Sequence, residues 1–365
     1  MLKIVDSTAL HSYRNVNFAP TVKIVCNMKL HNAVNGEQLK EQIRNSSEPR
    51  TTLSFYKYAK IGNPQLFRDH IYLHWNEVGV LGRIYVATEG INAQLSVPTS
   101  NLNAFKKELS DITFLENVRL NYAVDDDGKS FFKLGIKVRS KIVADGLEED
   151  IFDIMQPADY VDVKKFNKLT EDPETVIVDM RNHYETEVGH FKNAWCPDVD
   201  TFRDQLPFVA NELKDKKDKP VIMYCTGGIR CEKASAYLKH HGFKDVYHLE
   251  GGIIKYSRDA KEQGVQNKFI GKNFVFDERL HERITDDVIA SCHQCGETFD
   301  EHVNCKNKAC NLLFIQCMKC AEKYAGCCSE ECAAIAALPE EEQKELRRGK
   351  DTGVRIFSKG RFSGG

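Results

Sequence analysis

Apolar positions along the chain change their spacing twice, and each change marks a different kind of structure. Over residues 51–146 short alternating runs are separated by stretches of helical spacing. Residues 53–58 read as a strand, 64–78 as a helix, 82–88 as a second strand that runs through 89–92 into 93–97, and 102–112 as a second helix. Residues 131–143 then alternate clearly, which sets Phe132, Leu134, Ile136, Val138 and Ile142 on one face of a closing strand. That order predicts a small α+β sandwich of the ferredoxin-like kind.

Over residues 157–258 the apolar runs become continuous. Residues 175–180 and 220–225 have the pattern of parallel strands buried on both faces, with a helix over 231–241 and a short strand over 246–249. The expectation is an α/β domain, a parallel sheet with helices on both faces. Beyond it, cysteines replace the usual core formers. The chain therefore divides into an N-terminal extension (1–50), an α+β domain (51–146), an α/β domain (147–280), a cysteine-rich module (285–335) and a basic tail (336–365).

Composition adds three constraints. A length of 365 residues leaves room for two or three domains, and 42% apolar with 28% charged residues is ordinary for globular protein. A net charge of -2 confines any nucleic-acid surface to a local patch. One such patch is the polar side of 131–143, where Lys133, Lys137, Arg139 and Lys141 could follow a phosphate backbone, or could instead protect a solvated edge. The first residues lack the apolar core of a signal peptide, and no apolar run approaches the ~20 residues of a membrane span, so a cytoplasmic protein is expected. In the tail, Lys344, Arg347, Arg348, Lys350, Arg355, Lys359 and Arg361 form a second candidate RNA contact, or simply a solvated disordered end, the commoner outcome for such a run.

The densest chemical signal is Val221-Ile-Met-Tyr-Cys225-Thr226-Gly227-Gly228-Ile229-Arg230-Cys231. A buried strand delivers Cys225 to a glycine-containing loop, and a helix begins immediately after. Inward amides and the positive end of that helix stabilise a thiolate, and Arg230 adds a cation. Cys231 has two readings: a thiol that attacks an oxidised Cys225 to give a disulfide, or a cysteine packed under the loop.

Nine of the thirteen cysteines fall between Cys292 and Cys332. Pairs at C-x2-C spacing can each give two thiolates to one tetrahedral Zn²⁺, so eight ligands make two closed structural sites. One arrangement interleaves Cys292, Cys295, Cys317 and Cys320 with Cys305, Cys310, Cys328 and Cys332, leaving Cys327 spare. A sequential arrangement is equally compatible with the spacing, and a redox or iron–sulfur centre is the competing use.

Three segments together resemble the rhodanese domain: Val178-Asp179-Met180-Arg181 with Tyr184-Glu185 and Gly189-His190, the loop Cys225 to Arg230, and Leu249-Glu-Gly-Gly-Ile-Ile-Lys-Tyr256. The family often has tryptophan at the last position. By resemblance Asp179 and Arg181 are structural or pocket-rim groups. The four residues between Cys225 and Arg230 match sulfur-handling members; cysteine phosphatases have five. With Glu89-Gly-Ile-Asn-Ala upstream and the cysteine-rich module downstream, residues 50–335 resemble the TrhO family of tRNA uridine hydroxylases. That resemblance implies conversion of uridine 34 in the tRNA anticodon loop to 5-hydroxyuridine, with molecular oxygen as co-substrate and Cys225 as thiolate or persulfide. A sulfurtransferase delivering persulfide sulfur and a zinc-stabilised RNA-binding adaptor are the alternatives.

Overall fold

The computed structural model describes residues 34–147, 152–154 and 156–348. Most of the N-terminal extension, and Lys350, Arg355, Lys359 and Arg361 of the tail, lie outside the described residues. The chain forms two compact units, one running through Ala144 and including Phe276–Arg279, the other holding Asp145–Val275 and the chain from Leu280. No helix among the described residues is long and apolar enough to cross a membrane.

The first unit begins with helix α1 (Gly36–Asn45), followed by β1 (Arg50–Tyr58), α2 (Pro64–Glu77), β2 (Leu81–Ala87), β3 (Gly90–Pro98), α3 (Leu102–Ser110), β4 (Asn121–Tyr122) and β5 (Leu134–Val138). Helix α2 starts where the sequence demands: the Asn63 side chain accepts from the Leu66 amide at 3.0 Å, and Pro64 occupies the first turn, where its missing N–H costs nothing. Its buried face sets Ile71 and Trp75 against Phe55 and Phe105. Truncating so fully buried an aromatic as Trp75 costs about 3–5 kcal/mol.

The sheet order is β4-β1-β3-β2-β5, with β5 parallel to β2 and the other pairs antiparallel. The first four strands form the expected ferredoxin-like sandwich. One detail corrects the alternation reading. The strand that closes the sandwich beside β1 is the two-residue β4, whereas residues 134–138 add a fifth strand at the opposite edge.

That fifth strand is also shorter than its pattern. It stops at Val138, and the chain turns so that the Ile142 amide donates to the Glu89 carboxylate at 2.8 Å while the Asn92 amide donates to the Ile142 carbonyl at 3.1 Å. Ile142 is buried by this capture and not by continued alternation. The Glu-Gly-Ile-Asn segment thus has a local physical role. Gly90, at φ +146°, belongs to it because a Cβ there would lie 2.1 Å from the Lys57 carbonyl oxygen.

The second unit is built around four parallel strands: β6 (Asp159–Val161), β7 (Val176–Asp179), β9 (Val221–Tyr224) and β10 (Val246–Leu249), in the order β6-β10-β9-β7. Helices α4 (Val163–Leu169), α5 (His183–Thr186), α6 (Phe202–Glu212), α7 (Ile229–His240) and α8 (Gly252–Gln263) accompany them. Every residue of β9 is buried, as a strand covered on both faces requires. Ile222 and Tyr224 enter a core with Phe166, Phe191, Ile253, Tyr256 and Phe269, in which the Phe191 ring meets those of Tyr224, Tyr256 and Phe269 edge-on at 4.7, 4.7 and 5.3 Å. Tyr256 can replace the usual tryptophan because its hydroxyl donates to Asn167 at 2.8 Å and accepts from the Lys268 amide at 2.9 Å.

A second, antiparallel sheet joins β8 (Gly189–Phe191), β11 (Phe269–Phe274) and β12 (His281–Arg283), and leads into the cysteine-rich module with its hairpin β13 (His302–Asn304) and β14 (Leu313–Ile315) and helices α9 (Met318–Lys323), α10 (Glu330–Ala336) and α11 (Glu340–Arg347). The module is anchored by charge as well as by packing. Buried Lys272 of β11 pairs with Asp300 at 3.0 Å and with Glu301, and Arg283 also reaches Asp300, at 2.7 Å.

Substituting Gly90→Ala should destabilise the first unit by at least ~2 kcal/mol, since neither the φ nor the space suits a Cβ. A melting temperature within ~2 °C of the parent protein, on the size scaling of such shifts, would show that the β2–β3 turn can relax around it.

Candidate active site and cysteine quartets

The parallel register makes strand ends coincide. Asp179, at the end of β7, lies beside Tyr224, at the end of β9, and the Met180 amide donates to the Tyr224 carbonyl at 2.9 Å. Two segments far apart in sequence therefore meet at the carboxyl edge of the sheet, where ligands of α/β proteins bind.

The loop after β9 is fixed from below and from the side. From below, the amides of Ile253 and Ile254 at the start of α8 donate to the carbonyls of Cys225 and Thr226 at 3.0 and 3.2 Å. Gly252 (φ +65°) permits this approach, because a Cβ there would stand 2.4 Å from the Cys225 oxygen. From the side, Arg230 forms a two-pronged ion pair with Glu185 at 2.6 and 2.8 Å, both groups almost fully buried. Glu185 also accepts from the Asn182 amide at 3.0 Å in the capping box of α5, and Thr226 reaches the same carboxylate at 3.4 Å.

Cys225 sits at the centre of this frame, 1% exposed. The Gly228 amide donates to its sulfur at 3.2 Å, and Gly228 adopts φ 103° to turn that amide inward before α7 begins. Burial opposes a charged sulfur there. The S–H of Cys231, the Arg230 guanidinium and the amides of Cys231 and Gly228 outweigh burial and bring the Cys225 thiol down to about 6. Cys231 is pushed up, by burial first and then by its hydrogen bond to Cys225. The two thiols are thus pushed in opposite directions, Cys225 toward the thiolate and Cys231 toward the neutral thiol.

The loop residues Thr226, Gly227, Gly228 and Ile229 are brought together with Cys225, Arg230 and Cys231 as the sequence places them. Glu185 was visible only as part of a signature, and its pairing with Arg230 emerges from the fold. Asp179 and Arg181 pair with each other at 2.7 Å with no exposure, and Arg181 also donates to the Gly189 carbonyl at 2.6 Å, so they are interior groups and the pocket-rim reading does not hold. A third buried ion pair, Lys233 with Asp145 at 2.5 Å, ties α7 to the start of the unit.

The cysteine-rich module gathers two quartets, Cys292, Cys295, Cys317 and Cys320, and Cys305, Cys310, Cys328 and Cys332, each with its sulfurs within 4.8 Å of one another. This is the interleaved arrangement. Cys327 belongs to neither quartet and is fully buried. Sulfur–sulfur distances of 3.6 Å for Cys295–Cys317, Cys310–Cys328 and Cys328–Cys332 compare with about 3.8 Å across a tetrahedral Zn–S centre. The Cys317 amide donates to the Cys292 sulfur at 3.3 Å and the Asn307 amide to the Cys332 sulfur at 3.3 Å, bonds that stabilise ligating thiolates. Each quartet can hold one metal ion, and the donor set is compatible with structural zinc. Next to the first quartet, His293 reaches Glu187 at 2.7 Å, one residue beyond α5.

The cations proposed to follow RNA are less uniformly placed than alternation implied. Lys137 stands in β5 and Lys133 and Arg139 at its ends, all three exposed, whereas Lys141 lies beyond the turn and is half-buried. Arg139 lies over the Tyr85 ring at 5.7 Å and Lys133 over Phe132 at 5.4 Å.

A parallel sheet covered on both faces, with a buried cysteine cradled by loop amides at its carboxyl edge, defines a rhodanese-like domain. Family models match in the same order: the "UPF0176 acylphosphatase like domain" over residues 50–142, the "Rhodanese-like domain" over 162–259 and the "Rhodanase C-terminal" region over 270–333. Proteins named tRNA uridine(34) hydroxylase from Photorhabdus laumondii and Pectobacterium carotovorum are both 56% identical to this chain. The first aligns over 91% of this chain and 95% of its own length, the second over 90% and 93%. The chain belongs to the tRNA uridine(34) hydroxylase family.

Two titrations test the cradle. The difference in thiolate ultraviolet absorbance between the parent protein and Cys225→Ser should rise with a midpoint near pH 6. Cys231→Ala, which removes the S–H donor, should move that midpoint upward by about one unit or more. An unchanged midpoint in Cys231→Ala would show that loop amides and Arg230 suffice.

Proposed function

We propose that this enzyme hydroxylates C5 of the wobble uridine, position 34, in the tRNA anticodon loop, using molecular oxygen and the sulfur of Cys225. What carries the reading is that relatives of this name match along nine-tenths of the chain, while the chain's own Cys225 sits where a thiolate is stabilised.

The chemistry needs a reactive sulfur, a way to hold negative charge and a substrate base free of its stack. Cys225 supplies the first as thiolate or persulfide. Arg230, held in one orientation by Glu185, and the amides of loop 226–229 hold the second. Anticodon-loop bases are single-stranded and can be splayed into a protein pocket at low cost. Lys133, Lys137 and Arg139 are the phosphate contacts on the first unit, with Lys141 beside them.

Zinc in the two quartets is structural. The module is too small for a core of its own, and metal binding worth roughly 10–16 kcal/mol per site supplies its folding energy. Free thiols and a tRNA substrate fit a cytoplasmic enzyme.

Nucleoside mass spectrometry of unmodified tRNA incubated with the enzyme, a thiol reductant and air should show one added oxygen on uridine, and Cys225→Ser should lower the yield by at least ~10³-fold. Added sulfur in place of oxygen would reassign the enzyme as a sulfurtransferase; tRNA binding without modification would favour an adaptor. Native mass spectrometry should find two zinc ions per chain, with one lost in Cys295→Ser and one in Cys310→Ser. Retention of both in either variant would count against these ligand sets.

A further inference from the structure

We propose that Cys225 and Cys231 form a redox pair that closes to a disulfide in each catalytic cycle, with Cys231 as the thiol that resolves the oxidised form of Cys225. The inference rests on the hydroxylase reading for its substrate, and on geometry for the pair itself.

Both cysteines are buried, Cys231 with no exposure and Cys225 with 1%, and Cys231 lies in the first turn of α7, just past Gly228, whose amide donates to the Cys225 sulfur at 3.2 Å. The six-position spacing is closed by the loop. Gly228 in its left-handed conformation turns the start of α7 back over the end of β9. The nearness of the two cysteines is therefore a product of the same backbone that makes the cradle. A purely structural position at a helix start needs only a small side chain, and a hydroxyl would serve as donor. A second thiol beside the first adds one capacity that neither provides: it can form an S–S bond. The other cysteine of this half of the unit, Cys196, is occupied elsewhere, with its sulfur 3.9 Å from the Ala194 carbonyl.

The electron balance of hydroxylation calls for such a pair. When the Cys225 thiolate takes one atom of O2 and C5 of uridine takes the other, the C–H bond becomes C–OH and the sulfur becomes a sulfenate. After that sulfenate gains a proton, the Cys231 sulfur attacks it. The S–O bond breaks, the S–S bond forms, and the hydroxide leaves with the Cys231 proton as water. The sum is uridine plus O2 plus two thiols giving 5-hydroxyuridine, water and one disulfide. A dithiol reductant then restores both thiols by exchange, and without it the enzyme stops after one round.

The test uses the full-length, metal-loaded enzyme, reduced and then freed of small thiols. Given unmodified tRNA and air and quenched with an alkylating reagent, it should make about one 5-hydroxyuridine per active site, matched by a Cys225–Cys231 disulfide in the peptide map. Adding dithiothreitol should restore repeated turnover. Cys231→Ser keeps a hydroxyl donor and similar size. It should still make about one product, leave a Cys225 sulfenate that a cyclic 1,3-diketone traps, and turn over more than about tenfold more slowly at limiting dithiol. Several products per site without reductant and without disulfide would overturn the proposal, as would a Cys231→Ser enzyme that turns over normally with no trappable sulfenate. A second arm needs no tRNA. One equivalent of hydrogen peroxide should give the disulfide in the parent protein and a trappable sulfenate in Cys231→Ser. The disulfide here with no nucleoside product in the first arm would reject hydroxylation while supporting the pair, whereas no disulfide in either arm would reject the pair.

Discussion

The ion pair between Glu185 and Arg230 is the constraint on which the site depends. It is buried, two-pronged and shared between segments 45 positions apart, one in the four-residue helix α5 and the other in the first turn of α7. Removing one partner would leave an uncompensated buried charge, a cost of about 3–5 kcal/mol. With the pair in place, the loop of Cys225 has one orientation, and the same carboxylate caps α5. Arg230 can then favour the thiolate although its own charge is largely answered.

The cysteine-rich module bears on that constraint through contact. The first quartet includes Cys292, the adjacent His293 reaches Glu187, and Glu187 directly follows α5, which carries Glu185. Ile315, between the two quartets in the hairpin, packs with Val188 and Ala290. Lys272, Arg283, Asp300 and Glu301 add a charged anchor between β11, β12 and the module. A metal ion in the first quartet would therefore brace the residues that contact Glu187 and Val188, just past α5.

The first unit shows how an alternating pattern can mislead. Residues 131–143 alternate well, yet the hydrogen bonds of Glu89 and Asn92 to the Ile142 backbone end the strand at Val138. A captured backbone and a continued ladder bury the same residue, Ile142, so hydrophobicity cannot separate them. The four cations of that stretch consequently do not share one strand face. The two-residue strand β4 left no periodicity at all, because two residues cannot display a period.

Much was nevertheless set by the sequence alone. The strand–loop–helix around Cys225 was legible because continuous apolar residues, two glycines and a helix start are local features with few structural solutions. The eight metal-capable cysteines were legible from their number and close spacing, and so was the order of domains. Three things needed the tertiary structure. Which four cysteines share a site is decided by the β13–β14 hairpin, which brings Cys317 and Cys320 back to Cys292 and Cys295. The partner of Arg230 is decided by the parallel register that sets the end of β7 beside that of β9. The placement of Cys231 beside Cys225 is decided by the left-handed Gly228 that starts α7. Each is a relation between residues distant in sequence or across a turn, and such relations are fixed by chain packing, which no local pattern records.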